Sequence, residues 1–287
     1  MTPLMTDLDQ FFIPNGRVRL HVTVYPQADA ETIILLHGGP GVPDPMSEVA
    51  FELNKQYRVV TFEQRGTGLS TNPDEDYSMA AYISDIDAIA EHFAISTFHL
   101  FGHSWGGLYA QIYAEERQER IKSLFLCSPA SGTNTLWQQT EKEVMQFNKR
   151  AAGFWNWMGM GWNSLLGLLG SDRAYRKIFF QVLKNYHQGF PDLHVNRMQL
   201  ETVHAKPVNK TRAAIIAYKS LSTVQDPPFS VLIAYGANDI YGESKQEVQK
   251  RYPTSTLVEI NGAGHIPWLH NPMAFGQVLE RFYGRAK

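Results

Sequence analysis

Apolar residues along this 287-residue chain fall into short runs separated by polar stretches rich in glycine and proline. Seven runs read as strands: Val18–Tyr25, Thr32–Leu36, Arg58–Phe62, 97–101 (TFHLF), Ile121–Cys127, 229–235 (FSVLIAY) and Thr256–Ile260. Most are β-branched and nearly continuous in apolar side chains, the pattern of parallel strands covered on both faces. Between them the period changes. Over 79–94, Tyr82, Ile83, Ile86, Ile89, Ala90 and Phe93 recur at three-to-four spacing, which predicts an amphipathic helix. Residues 108–116 and 243–251 are further helix candidates, and 273–283 follows Asn271-Pro272, a cap and a first-turn proline. Alternation of strand and helix predicts an α/β fold with a doubly wound, mostly parallel sheet and right-handed crossovers.

The alternation stops between residues 133 and 225. That stretch shows helical patterns without a convincing strand and holds four of the six tryptophans, Trp137, Trp155, Trp157 and Trp162. The strand pattern resumes at Phe229, after Pro227-Pro228. The expectation is a core built from 1–132 and 226–287, with 133–225 as a helical cap over the C-terminal edge of the sheet. Ligands of open α/β sheets bind at that edge.

Composition narrows the function classes. The chain is 44% hydrophobic and 19% charged with a formal net charge of −2, so no global basic character argues for nucleic acid or an anionic membrane. Cys127 is the single cysteine, which excludes an intramolecular disulfide framework, and its place in an apolar strand predicts a buried, inert thiol. None of the ten histidines forms an H-E-x-x-H pair. His187, His194 and His204 read as solvated or packed, and no metal is expected. The N-terminal residues lack a basic region followed by an apolar one, so they do not read as a signal peptide. Residues 153–170 are uncharged for 18 positions, but their glycines and asparagines make a poor spanning helix. The expectation is a cytoplasmic protein with no membrane or nucleic-acid partner; the oligomeric state stays open.

Candidate chemistry begins at Gly102-His103-Ser104-Trp105-Gly106, between a strand and a helix. A serine exposed on a sharp strand-to-helix turn needs small residues two positions to either side. It also needs a general base, and the base needs an acid to hold its tautomer. Asp239 lies just past the strand at 229–235, and His265 lies just past Thr256–Ile260. Alone, Asp239 reads equally as a turn residue and His265 as a loop histidine. Together with Ser104, in that order and at three strand ends, they read as a catalytic triad. His37-Gly38-Gly39-Pro40-Gly41 follows another strand. It would supply an oxyanion donor from Gly39, with the second from Trp105. No lysine follows these glycines in a phosphate-binding pattern, and His37 reads as a structural loop residue.

The motifs HGGPG (37–41), EQRGTGLS (63–70), GHSWGG (102–107), GANDIYG (236–242) and GAGHIPW (262–268) together resemble the α/β-hydrolase superfamily. Within it they are similar to the proline iminopeptidase branch of serine peptidases. The resemblance implies an eight-stranded sheet with a helical cap, no cofactor, and release of an N-terminal residue, often proline, from a short peptide through an acyl-enzyme. The chain departs from that branch at Glu63, where the family has aspartate, and at Ile240, an apolar neighbour of Asp239. The cap carries 12 basic side chains against five acidic ones, Glu141, Glu143, Asp172, Asp192 and Glu201. A basic lid suits an ester or lactone better than a cationic amine. Glu201 is the candidate amine anchor, while Trp268 and the cap tryptophans are candidates for an acyl pocket. A non-catalytic ligand-binding role on the same fold is the third reading.

Overall fold

The computed structural model describes residues 8–44, 46–190, 193 and 200–284. Its centre is one eight-stranded sheet in the order β1-β2-β4-β3-β5-β6-β7-β8. The strands are β1 (Asp9–Asn15), β2 (Val18–Tyr25), β3 (Thr32–Leu36), β4 (Arg58–Phe62), β5 (Phe98–His103), β6 (Ile121–Cys127), β7 (Ser230–Gly236) and β8 (Thr256–Ile260). β2 pairs antiparallel with β1 and β4, and every other pairing is parallel. All five residues of β3 and all six of β5 are buried, which explains their unbroken apolar reading. β1 was not among the seven runs. It is an edge strand in which Ile13 is the one buried residue, so its sequence carries almost no periodic signal.

The two sheet faces hold separate apolar cores. One packs Tyr82, Ile86, Tyr109 and Tyr113 of α2 (Met79–His92) and α3 (Trp105–Glu116) against Leu100 and Leu124. The other packs Val49 of α1 (Ser47–Leu53) and Phe275, Leu279 and Tyr283 of α9 (Pro272–Tyr283) against Phe101 and Phe125. Truncating a fully buried side chain such as Leu100 to alanine costs about 2–5 kcal/mol in such a setting. Local signals start the helices. Ser78 caps α2 by accepting from Ala81 N at 3.2 Å, and Asn271 caps α9 by accepting from Ala274 N at 3.2 Å. α7 (Lys245–Arg251) and α8 (Pro267–His270) complete the core.

Between β6 and β7 the described residues form three helices, α4 (Asn134–Leu168), α5 (Asp172–Tyr186) and α6 (Ala205–Ala217), and no strand. His194, Asp192 and Arg197 lie outside the described residues. α4 is broken at Gly153, whose φ of 70° and ψ of 166° leave the helical region; a positive φ is a conformation that glycine takes without steric cost. The first half of α4 is tied to the core. Trp137 packs edge-on against Trp105 with ring centroids 6.2 Å apart. Glu143 accepts from Gly242 N at 2.7 Å, Ser244 N at 3.0 Å and Ser244 Oγ. α6 is held by the Thr211 hydroxyl, 2.7 Å from the Tyr82 hydroxyl.

Candidate active site

Ser104 stands at the turn between β5 and α3 with φ 55° and ψ −118°. This conformation is costly for a side chain with a Cβ, and it persists only where the surroundings over-determine it. Here they do. Ser104 N donates to Cys127 O at 3.0 Å, and Ser104 O accepts from Gly107 N and Ala130 N at 3.0 Å. The turn is so close that a Cβ on Gly102 would overlap the Gly106 carbonyl, and one on Gly106 would overlap the carbonyls of Leu36 and His37. These glycines serve the approach of main chain to main chain. The helix begins at Trp105, earlier than the expected 108, because tertiary packing overrides the helix-breaking tendency of Gly106-Gly107.

Asp239 and His265 reach the same point from the ends of β7 and β8. His265 Nε2 is 3.0 Å from Ser104 Oγ, and His265 Nδ1 is 3.0 Å from Asp239 Oδ1. The carboxylate therefore assigns the proton to Nδ1, leaving the Nε2 lone pair to accept from the serine hydroxyl. The two loops are laced together by Asn238 N donating to Ala263 O at 2.9 Å. Asp239 is buried, and burial alone would raise its pKa. The His265 ring, the Ser128 hydroxyl donating at 2.6 Å and the Tyr241 N–H outweigh it and hold the group below the usual carboxylate range.

Three contacts that sequence reasoning missed complete the arrangement. The Tyr241 hydroxyl lies 3.2 Å from Ser104 Oγ, and its ring packs edge-on against His265 at 5.0 Å. Burial raises the Tyr241 pKa, so the hydroxyl stays protonated. His103 donates from Nε2 to His265 O at 2.9 Å, with burial pushing its pKa down to about 3. It is a neutral ring that braces the backbone of the base. Gln64 joins two motifs: it accepts from the Trp105 indole N–H at 2.8 Å and donates to His37 O at 2.9 Å. His37 itself is buried, with Nδ1 2.9 Å from Gly38 O, a loop brace. Glu63 accepts from Leu69 N across its loop. Cys127 is buried, with its pKa raised by that burial.

Ser104, His265 and Gly39 open onto a cavity of about 440 Å³. Phe179, Val182, Leu183 and Tyr186 of α5 line it with apolar surface, as do Trp268 and Leu269. Trp268 is buried and packs edge-on against His103 at 4.6 Å. The cap tryptophans do not line this cavity among its described residues; Trp155 is 83% exposed and Trp162 is 63% exposed. Glu201 does not reach it either. Glu201 is exposed and lines an outer groove of about 700 Å³ with Arg173, Arg176 and Lys177. Among the described residues no lysine or arginine lines the cavity beside Ser104. Two carboxyl side chains line it, Asp44 and Glu48, from the segment that follows HGGPG. Burial raises the pKa of Asp44, which accepts from Met46 N at 2.9 Å.

The ends of β5, β7 and β8 thus bring together, on a doubly wound sheet, a serine in a strained backbone conformation, a buried aspartate and a histidine within 3.0 Å of both. The chain belongs to the alpha/beta hydrolase fold family, whose model matches residues 31–272, and it is a hydrolase. It is similar to a proline iminopeptidase of Lactobacillus helveticus (strain DPC 4571), 33% identical over 127 residues, 42% of this chain and 43% of that protein. A second proline iminopeptidase, from Lactobacillus delbrueckii subsp. bulgaricus, is 28% identical over 151 residues, 50% of this chain and 51% of the relative. The chain thus spans about half or less of the length of these relatives. By fold it is similar to the enol-lactonase of Burkholderia xenovorans LB400, with a TM-score of 0.66 and 17% identity over 95% of this chain and 99% of that one. Among the described residues, no helix is long and apolar enough to cross a membrane.

Proposed function

We propose that this hydrolase works through an acyl-enzyme on Ser104 and releases N-terminal proline or a small apolar residue from a short peptide. His265 Nε2 takes the Ser104 proton as Oγ attacks the substrate carbonyl. The developing oxyanion is met by the N–H of Gly39 and by that of Trp105, which as the first residue of α3 has no intrahelical partner. His265 then gives its proton to the departing amine, and Asp239 holds the imidazolium. Water, activated by the same histidine, attacks the ester and restores Ser104. With the serine O–H directed at His265, the Tyr241 hydroxyl donates to the remaining lone pair of Oγ. That donor serves the step in which Oγ leaves as charge builds on it, so Tyr241 assists deacylation.

The observation that carries the peptidase reading over the bare chemistry is the pair of carboxyl side chains in the lining of the cavity. Asp44 and Glu48 line it without an accompanying lysine or arginine among the described residues, which suits a substrate with a free ammonium group. In this reading the amine anchor comes from the core segment after HGGPG, not from Glu201. The rival is a carboxylic ester or lactone, which needs the same triad but no ammonium acceptor. It is favoured by the apolar surface of α5 and by the likeness in fold to an enol-lactonase and, at a TM-score of 0.65, to the carboxylesterase CesB of Bacillus subtilis. Prolyl-aminomethylcoumarin and a short p-nitrophenyl ester, assayed side by side, separate the two. The peptidase reading expects rapid amide turnover that Ser104→Ala abolishes, with KM for the amide raised about tenfold in Asp44→Asn. Ester turnover alone, indifferent to Asp44→Asn, overturns it in favour of the rival.

A further inference from the structure

The second half of α4 presents an apolar face to solvent. Phe154, Trp155, Met158, Trp162, Leu165 and Leu169 recur at helical spacing, and each is at least half exposed, with Trp155 at 83% and Leu169 at 78%. The helix is anchored from behind, where Met160 is buried and Gly167 meets the ring of Tyr175 on α5. The outward residues are therefore left over after the cap has packed. A stripe of this size on a water-soluble surface marks an interaction site.

The charges around it are mostly basic. From Gly153 to Gly170 the sequence has no ionisable side chain. Just before it stand Lys149 and Arg150, and just after it Arg173, Arg176 and Lys177 with one acid, Asp172, whose carboxylate accepts from Ala205 N at 2.7 Å and lies 2.9 Å from His204 Nδ1. Among the described residues Lys149, Arg150, Arg173 and Lys177 are exposed and make no ion pair. Arg173, Arg176 and Lys177 share a groove with Trp155, in which Glu201 is the one acid among the described residues. The net charge of −2 for the whole chain conceals this local basic excess.

We propose that this face of the cap docks on an anionic lipid surface, with the aromatic stripe in the headgroup boundary and the basic rim on the lipid phosphates. Tryptophan, phenylalanine and leucine beside lysine and arginine are the composition that binds such a boundary. A second copy of the chain is a poorer occupant. A two-fold contact would place the same patch on itself and bring the unpaired cations of both copies together. An anionic surface satisfies the apolar stripe and the cations at once, while the sheet and the catalytic cavity remain in water.

The test is co-sedimentation of the full chain with phosphatidylcholine vesicles and with vesicles that also contain phosphatidylglycerol, at low and high salt. Binding is expected at least about tenfold tighter to the anionic vesicles and weakened by salt. Trp155→Ser with Trp162→Ser is expected to abolish binding without changing turnover of a soluble ester. Lys149→Gln with Arg150→Gln and Arg173→Gln is expected to weaken it about tenfold. Equal binding to both vesicles, or to neither, overturns the proposal. So does a dimer in light scattering that the two tryptophan substitutions convert to a monomer, because the face then belongs to a second copy. The ester assay is independent of the vesicles, so failure of the hydrolase reading and failure of the docking are read separately.

Discussion

The two halves of α4 share one helix and differ in almost everything else. Before Gly153, Trp137 lies on Trp105, Glu143 holds the segment after Tyr241, and Asn148 accepts from Asn185 of α5 at 2.8 Å. After Gly153, Phe154, Trp155, Met158 and Trp162 point to water. The first half is tied to the loop that follows Asp239; the second leaves its apolar side chains exposed. A cap need not be a single device. The break at Gly153 lets one segment brace the catalytic loops while the next turns its apolar residues away from them.

Several experiments break or sharpen this contrast. The largest effect is expected on the site that the first half frames. Asp239→Asn should lower kcat by about 10⁴ through loss of the His265 tautomer, with the fold retained in a melting scan. Tyr241→Phe should lower kcat about tenfold and leave kcat/KM of an activated ester nearly unchanged, because it slows release of Oγ after acylation. A burst of p-nitrophenol that grows in the variant would report that change. Glu143→Ala removes the acceptor of three hydrogen bonds and should cost about 2 kcal/mol in chemical denaturation, lowering kcat as the Tyr241 segment loosens. By contrast, Trp155→Ser in the second half should change stability by no more than about 0.5 kcal/mol.

Acid should act on the framed half as well. The His103 pKa falls from 6.5 to about 3 on burial. Below pH 6.5 the unfolded chain binds a proton that the folded chain refuses until about pH 3, so stability drops as pH falls through that window, by up to about 1.4 kcal/mol per pH unit. His270, pushed down to about 4 by burial beside His187 and His265, acts in the same direction. Asp239 adds to the loss lower down: its depressed pKa means that the stability it contributes above the unfolded value disappears as pH falls through the folded one. A His103→Gln variant should show a flatter acid limb in urea titrations.

What the sequence made legible follows from how local each signal is. Buried parallel strands announce themselves by continuous apolar runs, and the turns that carry Ser104, Asp239 and His265 by glycines at fixed offsets. β1 escaped because an edge strand with one buried residue has no such run. α1 escaped as a short helix entered through Met46 in a left-handed conformation, with no side-chain cap to mark its start. Tyr241, Gln64 and His103 act through contacts between loops far apart in the chain, which no spacing rule encodes. Glu201, Trp155 and Trp162 stand away from the cavity for a related reason. The cap's charge and aromatic content could be counted, but which face of each helix carried them depends on the break at Gly153 and on how α4 packs against α5.

The central claim is that Ser104 is a nucleophile activated by His265. Intact-mass measurement after brief exposure to a fluorophosphonate tests it most directly. A single adduct is expected on the native chain, formed far more slowly in His265→Ala and absent from Ser104→Ala. No adduct on the native chain, or one that survives Ser104→Ala, would contradict it.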